Sequence, residues 1–185
     1  MSNDASPFPF KGWKGNQYEG GIKTPMIMTW KNKIKSNTQF DGFISALDIF
    51  KTSLEASNVD KEFMMNADGK NIMNYLNDNN IKNENLFWRK DKMATVRSGN
   101  YKLIRLNDTS TVLYNIKKNY FEDDNVKSSQ LKIHDSLLIL LSDWEKRLIN
   151  PNWIENKNWN IVTEMIYQDL MGNKDIRALS PRDLN

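Results

Sequence analysis

The sequence predicts an α+β fold: a strand and a helix precede a small antiparallel four-stranded sheet that packs on a C-terminal helix. An apolar run at residues 26–30, followed by apolar side chains at helical spacing over 43–54, is typical of the strand and its helix. Four short segments separated by turn residues over 85–116 are typical of an antiparallel meander. A long amphipathic pattern over 129–149 predicts the C-terminal helix.

The N-terminal elements are defined by proline and glycine. Pro7 and Pro9 predict a loop, and the four glycines between residues 12 and 21 predict tight turns or close backbone approach. A strand is predicted over residues 22–30, with Pro25 near its start. One strand and one helix do not make a parallel sheet, so we expect this strand to pair with structure upstream of the sequence.

The later elements follow from periodicity and turn chemistry. A helix is predicted over 43–56, with Asp41 as its N-cap. Ser98-Gly99-Asn100 and Asn107-Asp108 predict the turns of the meander. The other predicted elements are a short helix at 71–76, strands at 85–88, 93–98, 101–106 and 111–115, the helix at 129–149, helical turns at 159–171 and a polar tail at 172–185.

Composition excludes several classes of protein. The net charge of +3 includes no basic block, which argues against nucleic-acid binding and indicates at most a mild preference for anions. The absence of cysteine excludes disulfides, thiolate metal sites and cysteine nucleophiles. No apolar stretch approaches the roughly 20 residues of a membrane span, and residues 1–7 lack the pattern of a signal peptide. We therefore predict no membrane contact and leave the compartment open.

One segment carries a recognisable motif. Lys14 is followed, after four residues, by Glu19-Gly20-Gly21-Ile22, and Pro25 comes soon after. This pattern resembles a segment of the sulfatase family, arylsulfatases in particular. Further resembling segments follow in the family's order: Ile27 to Trp30, Leu47 to Thr52, Asp68-Gly69, Leu86 to Trp88, Val96 to Ile104, Leu113 to Ile116 and Glu122 to Asn125. The family pattern has proline where this sequence has Lys31 and Lys51.

The resemblance covers residues 4–149 and implies a division of the chain. Residues 1–80 correspond to the C-terminal end of the sulfatase catalytic domain, so the resemblance implies that the predicted strand and helix are the end of its α/β core. Residues 81–171 correspond to the family's small C-terminal subdomain, and 172–185 form a tail. Many sulfatases are periplasmic or secreted.

The resemblance also implies the chemistry. Sulfatases use a formylglycine made from Cys or Ser as nucleophile, a calcium ion held by several Asp and an Asn or Gln, lysines that neutralise developing charge, and a histidine that supplies a proton. Lys14 matches one of these lysines, so we expect it to act in catalysis and to bind the sulfate. Glu19, Gly20 and Gly21 are expected to shape its loop, with Glu19 orienting the loop or pairing with Lys14.

Two more basic residues are candidates on the predicted meander. Arg97 and Lys102 are predicted to line the substrate cleft, with an exposed strand face as the alternative interpretation. His134 is interpreted as helix surface, away from any catalytic segment.

Essential parts of the machinery are absent from the sequence. No Cys/Ser-x-Pro-x-Arg motif occurs, and Ser180-Pro181-Arg182 has the wrong spacing. The paired aspartate ligands are also absent, so we predict no metal site and no calcium bound by this chain alone. We expect a calcium ion in the full-length family, an inactive isolated chain and a missing N-terminal half as possible partner.

The sequence thus favours the C-terminal portion of a sulfatase that hydrolyses aryl or carbohydrate sulfates. The alternative is a non-catalytic module that binds sulfated glycans or a protein partner, suggested by the mild basic excess and by tryptophans able to stack on sugars. A related phosphodiesterase or phosphonate hydrolase is a third interpretation, against which the Glu-Gly-Gly-Ile motif argues.

Overall fold

The chain forms two compact units. The structure, a computed structural model, describes residues 9–57, 62, 67–77 and 85–184. The sheet unit comprises Met1–Thr24 and Asn85–Asn185, and the helical unit comprises Pro25–Glu84. Residues 9–24 therefore belong with the sheet, whereas the sequence boundary grouped them with residues up to 80.

The sheet unit contains an antiparallel meander of four strands in the order β1-β2-β3-β4. In β2 and β3, Val96 is paired with Leu103, and Leu103 is paired in turn with Leu113 of β4. The α+β fold and the four predicted strands are confirmed, with small shifts at the ends of β1 and β4. The strands are β1 (Leu86–Lys90), β2 (Met93–Ser98), β3 (Tyr101–Leu106) and β4 (Ser110–Asn115).

A short helical turn and two long helices accompany the sheet, because its alternating side chains make both faces apolar. The turn α1 spans Glu19–Ile22 and precedes the sheet in sequence. Leu103 and Leu113 pack against Leu141 on one face, whereas Ile104 and Tyr114 belong to a cluster on the other. The helices are α4 (Leu131–Glu145) on the first face and α5 (Lys157–Met171) on the second, where Tyr18 also packs. The predicted C-terminal helix corresponds to α4.

The residues predicted as a polar tail pack against α5. Ala178 is buried, and the Arg177 Nε lies 2.7 Å from Asp169 Oδ1. A single 3-10 turn at Pro181–Leu184 follows. This segment is held by a salt bridge and a buried alanine. Because it has no apolar periodicity, its composition predicted a polar tail.

The helical unit contains α2 (Ala46–Ala56) and α3 (Ile72–Asn77). The N-cap of α2 is Ser45 and not Asp41, because Ser45 forms a capping box with Asp48. Asp48 Oδ2 accepts from Ser45 N at 2.7 Å, and Asp48 Oδ1 accepts from Lys70 N at 2.8 Å. The cap therefore also ties the segment before α3 to α2.

The predicted strand at 22–30 is wrong. Ile22 ends the helical turn α1, and residues 23–30 form no strand. Pro25 cannot donate to a ladder, and Ile27 is 94% exposed, so within the described part of the chain this segment lacks the neighbour that a strand requires. The same described residues contain no helix long and apolar enough to cross a lipid bilayer.

Candidate functional site

Lys14 lies at the tip of a turn. The Asn16 N–H donates to the Trp13 carbonyl at 3.2 Å, and Gly15 has a φ of 101°, which the turn requires and other residues rarely adopt. The Lys14 side chain is exposed. Among residues 9–57, 62, 67–77 and 85–184, none forms a hydrogen bond or ion pair with its ammonium. The ammonium is therefore available to an anion.

Gly20 and Gly21 bring the end of the loop close to its beginning. The Gly20 N–H donates to the Lys11 carbonyl at 2.8 Å. A Cβ on Gly21 would lie 2.1 Å from the Asn16 carbonyl oxygen and 2.6 Å from that of Trp13. Only glycine therefore lets α1 approach the backbone on both sides of Lys14.

The polar residues between Lys14 and Gly20 are buried rather than solvated. The Gln17 N–H donates to the Tyr167 hydroxyl at 2.8 Å, which joins the loop to α5. The Thr95 hydroxyl donates to Gln17 Oε1 at 2.8 Å, which joins it to β2. These two hydrogen bonds attach Gln17 to the sheet unit, whereas Asn16 Nδ2 in the same loop is buried without a hydrogen-bond partner among the described residues.

Glu19 lies in a buried ion-pair cluster, formed by Glu19, Arg97, Lys102 and Glu122 and called here the loop clasp. Lys102 Nζ lies 3.0 Å from Glu19 Oε1 and 2.8 Å from Glu122 Oε1. Arg97 Nη1 lies 3.3 Å from Glu19 Oε2. The Glu19 backbone N–H also donates to Glu122 Oε2 at 2.7 Å. Both the backbone and the side chain of Glu19 are therefore fixed.

Burial and charge act against each other in the loop clasp. Burial raises the pKa of Glu122, and the neighbouring Lys102 ammonium opposes this change. Burial likewise lowers the pKa of Arg97, which the Glu19 carboxylate opposes. Two carboxylates face two cations, so the clasp in its charged form carries no net charge into the interior.

A second contact holds the loop on the other side of Lys14. Lys11 Nζ donates to the Glu122 carbonyl at 3.0 Å and to Asn173 Oδ1 at 2.5 Å. It also lies 5.2 Å from the centre of the Tyr18 ring. Burial lowers the pKa of Lys11, and the Glu122 carboxylate opposes this change. The loop is thus attached to the sheet unit at both ends.

The structure brings three of the predicted site residues together. Glu19 pairs with Arg97 and Lys102, and not with Lys14. The alternative of an exposed strand face is wrong for Lys102, which is fully buried because β3 directs it beneath the loop. Both cations are paired with carboxylates in this structure. Contact of Arg97 and Lys102 with a substrate stays a prediction.

Sequence reasoning missed Lys11, Gln17 and Glu122 as part of this arrangement. Glu122 stood within a family-like segment, but no local pattern indicated that it would meet Glu19. Its φ of 58° is uncommon for a residue with a side chain. That conformation is a tertiary feature that the sequence does not display.

His134 is not helix surface, as the sequence suggested, but buried against the sheet edge. Its Nε2 lies 3.0 Å from the Thr111 hydroxyl, and its Nδ1 lies 2.8 Å from Asp135 Oδ1. Thr111 also accepts a hydrogen bond from Lys127 Nζ at 2.7 Å. These contacts connect β4, the segment after it and α4.

The acidic and histidine side chains of the described residues are the ones that could act as metal ligands. Within these ranges no three acidic or histidine side chains converge as metal ligands. The buried carboxylates of Glu19 and Glu122 are already held by Lys102. Calcium prefers several oxygen ligands, so its site in a sulfatase would need residues beyond this arrangement.

Comparison with known proteins places the chain among the sulfatases. Residues 12–143 match the family described as N-sulphoglucosamine sulphohydrolase, C-terminal. The uncharacterized sulfatase YdeN of Escherichia coli (strain K12) is 35% identical over 80 residues, which are 42% of this chain and 14% of that protein. Human steryl-sulfatase is 30% identical over 78 residues, which are 42% of this chain and 13% of that protein.

A solved structure, that of Ps i-CgsB, has the same fold. It superposes with a TM-score of 0.70 at 24% identity and covers 88% of this chain and 38% of its own. The matches to the curated relatives span only about a seventh of their length, 14% and 13%. Because the family match extends over most of the chain, from residue 12 to 143, the protein belongs to the sulfatase family through its C-terminal domain.

Proposed function

We propose that this chain is the C-terminal portion of a sulfatase that hydrolyses aryl or carbohydrate sulfate esters, and that Lys14 contacts the sulfate. One observation supports this most strongly: an exposed ammonium with no partner among the described residues lies on a loop that is attached at both ends. Membership of the sulfatase family supports the reaction class.

The chemistry of Lys14 follows from the charge of the substrate. A sulfate ester is an anion, and negative charge grows on its leaving oxygen as the S–O bond breaks. An ammonium held near that oxygen stabilises the transition state more than the ground state. A calcium ion bound by the rest of a sulfatase would add charge stabilisation at the sulfate. Lys14 itself binds and orients the anion.

The remaining machinery must come from outside this chain. The sequence contains neither a Cys/Ser-x-Pro-x-Arg nucleophile motif nor the paired aspartates of the calcium site. The proposed partner is a polypeptide segment that corresponds to the N-terminal half of a sulfatase. The substrates are sulfated small molecules or glycans.

The first experiment compares Lys14→Met with Lys117→Met in a sulfatase preparation that contains this chain. Lys117 is likewise exposed and lies in the same unit, so it controls for loss of surface charge. Removing a preorganised electrostatic contact is expected to lower kcat/KM by about 10²–10³-fold. Equal kcat/KM values for the two variants would contradict the role of Lys14.

The second experiment measures 4-nitrophenyl sulfate turnover by the isolated 185-residue chain with calcium present. No turnover above buffer is expected, because the chain has no nucleophile motif. Turnover that survives repurification would disprove the proposed division of the machinery.

A non-catalytic module that binds sulfated glycans or a protein is the second candidate. It is favoured by the two core clusters of the sheet unit, one on each face of the sheet, and by Trp153, which is 82% exposed. A cooperative melt, together with binding to a sulfated polysaccharide that weakens with salt, would support it. Equal binding to the desulfated polymer would count against it.

A further inference from the structure

We propose that Lys102 and Glu122 are positioning residues for Lys14, and that the loop clasp determines where the Lys14 ammonium lies relative to the sheet unit. This inference rests on the proposed role of Lys14. In this scheme an indirect role replaces the predicted substrate contact of Lys102, which is fully buried, and neither residue touches the substrate. Both act through the backbone of the loop that carries Lys14.

The contacts on the two sides of Lys14 converge on Glu122. Before Lys14, the Lys11 ammonium donates to the Glu122 carbonyl at 3.0 Å. After Lys14, the Glu19 N–H donates to the Glu122 carboxylate at 2.7 Å. One residue of the sheet unit thus holds both ends of the loop. Its φ of 58° shows that the chain adopts an uncommon conformation where these two contacts are made.

Lys102 holds the two carboxylates of the loop clasp in place. Its ammonium lies between the two carboxylates, 3.0 Å from Glu19 Oε1 and 2.8 Å from Glu122 Oε1. The residue is fully buried and belongs to β3, which is paired on both sides within the sheet. The position of Glu19 is therefore set by a strand that cannot easily move.

The loop transmits this position to Lys14 over a short path. Gly21 packs directly against the carbonyls of Trp13 and Asn16, which flank the turn at Lys14. Gln17 is attached to β2 and α5. Consequently the backbone near residue 14 has little freedom, and the Lys14 side chain provides most of the remaining motion.

The ion pairs of the loop clasp contribute more to the position of the loop than to the net stability of the fold. Replacing buried ion pairs by apolar side chains of similar volume is often neutral or stabilising, so their contribution to net stability is small. Ion pairs and hydrogen bonds are directional, however, and the clasp constrains both the N–H and the carboxylate of Glu19. Misplacing a reacting group by about 1 Å can reduce a rate by about 10²-fold.

The structural test measures amide hydrogen exchange in the 185-residue chain. In Lys102→Met, we expect the amides of residues 12–21 to exchange at least about tenfold faster, while those of β2 and β3 keep their relative protection. Arg105→Met is the matched control, because Arg105 lies on the same strand and pairs with Glu145 at 2.8 Å on the opposite face. Unchanged loop exchange in Lys102→Met, or equal acceleration in the control, would overturn the proposal.

Lys102→Met could unfold the sheet unit, so Glu122→Gln is the second variant. It keeps the size of the side chain and removes one charge from the clasp. Faster exchange confined to residues 12–21 supports positioning by Glu122. Exchange indistinguishable from the unsubstituted chain would contradict it, as would failure of Lys102→Arg to restore more protection than Lys102→Met.

The functional test is a double-mutant cycle in a sulfatase preparation that contains this chain. If Lys102 acts through Lys14, adding Glu122→Gln or Lys102→Met to Lys14→Met lowers kcat little further, although each lowers it alone. Additive losses in kcat would refute action through Lys14. If Lys14→Met itself has no effect, the proposed function fails, whereas the exchange data still report on the clasp.

Discussion

The loop at residues 11–22 and the segment at 25–57 differ in which side chains they bury. In the loop, polar residues such as Gln17 and Glu19 are buried against the sheet. In the segment, apolar residues are exposed, with Ile27 at 94% and Phe50 at 59%. The loop therefore has its partners in this chain. The exposed apolar side chains of the segment are not covered by other described residues.

The family-like sequence thus contains one part that packs against other elements of this chain and one part that leaves apolar side chains exposed. The loop is completed by β2, β3 and Glu122, all of which the chain provides. The segment keeps its local helix because the Ser45–Asp48 capping box stabilises the N-terminus of α2, and Asp48 also accepts a hydrogen bond from Lys70 N.

The largest effect is expected for Lys102→Met. The substitution leaves Glu19 and Glu122 buried without the cation between them, and breaking such a pair from one side costs about 3–5 kcal/mol. Urea denaturation at pH 7 measures the free energy of unfolding. A loss no greater than that of Arg105→Met would mean that the loop is not anchored by the clasp.

Gly21→Ala is expected to have the next largest effect. The added methyl would lie 2.1 Å from the Asn16 carbonyl oxygen, so the backbone must shift, and overpacking of this kind costs about 1–3 kcal/mol. Thermal melting compares it with Gly172→Ala, whose methyl would lie 3.3 Å from the nearest atom, the Gln168 carbonyl oxygen. Equal melting temperatures would show that the loop tolerates movement.

The pH dependence of stability is expected to show a smaller effect of Glu122. Burial raises its folded-state pKa above the unfolded value, so the native state holds the proton more tightly and this group reduces stability as pH rises from the unfolded to the raised pKa. Relative to the unsubstituted chain, Glu122→Gln should therefore become more stable as pH increases through that window. Parallel stability curves for the two proteins would contradict the burial of this carboxyl.

The smallest effect is expected in the segment. Phe50→Ala should change the free energy of unfolding by no more than about 0.5 kcal/mol, because the ring is mostly exposed. Leu141→Ala, at a fully buried position, should cost about 2–5 kcal/mol under the same conditions. A large loss of stability would mean that the Phe50 ring packs against other residues of this chain.

Much of the sheet unit could be predicted because its signals are local. Strands β2 and β3 were predicted with their observed bounds, since alternating side chains and the Ser98–Tyr101 turn lie close together in sequence. The strand at 22–30 failed because an apolar run indicates burial without naming the neighbour that provides the hydrogen bonds. Helix α2 began later than predicted because Asp41 and Ser45 are both plausible caps by type.

The sequence by itself determined the strands and long helices of the sheet unit and the family, through the periodicity of those elements and the order of motifs from Lys14 to Asn125. Only the tertiary structure decided that Lys102 lies beneath the loop rather than on an exposed face. Its contact with Glu19 joins residues 83 positions apart, and that of Glu19 with Glu122 joins residues 103 apart. Pattern reasoning detects side chains that repeat along one element, whereas these ion pairs form where separate elements meet.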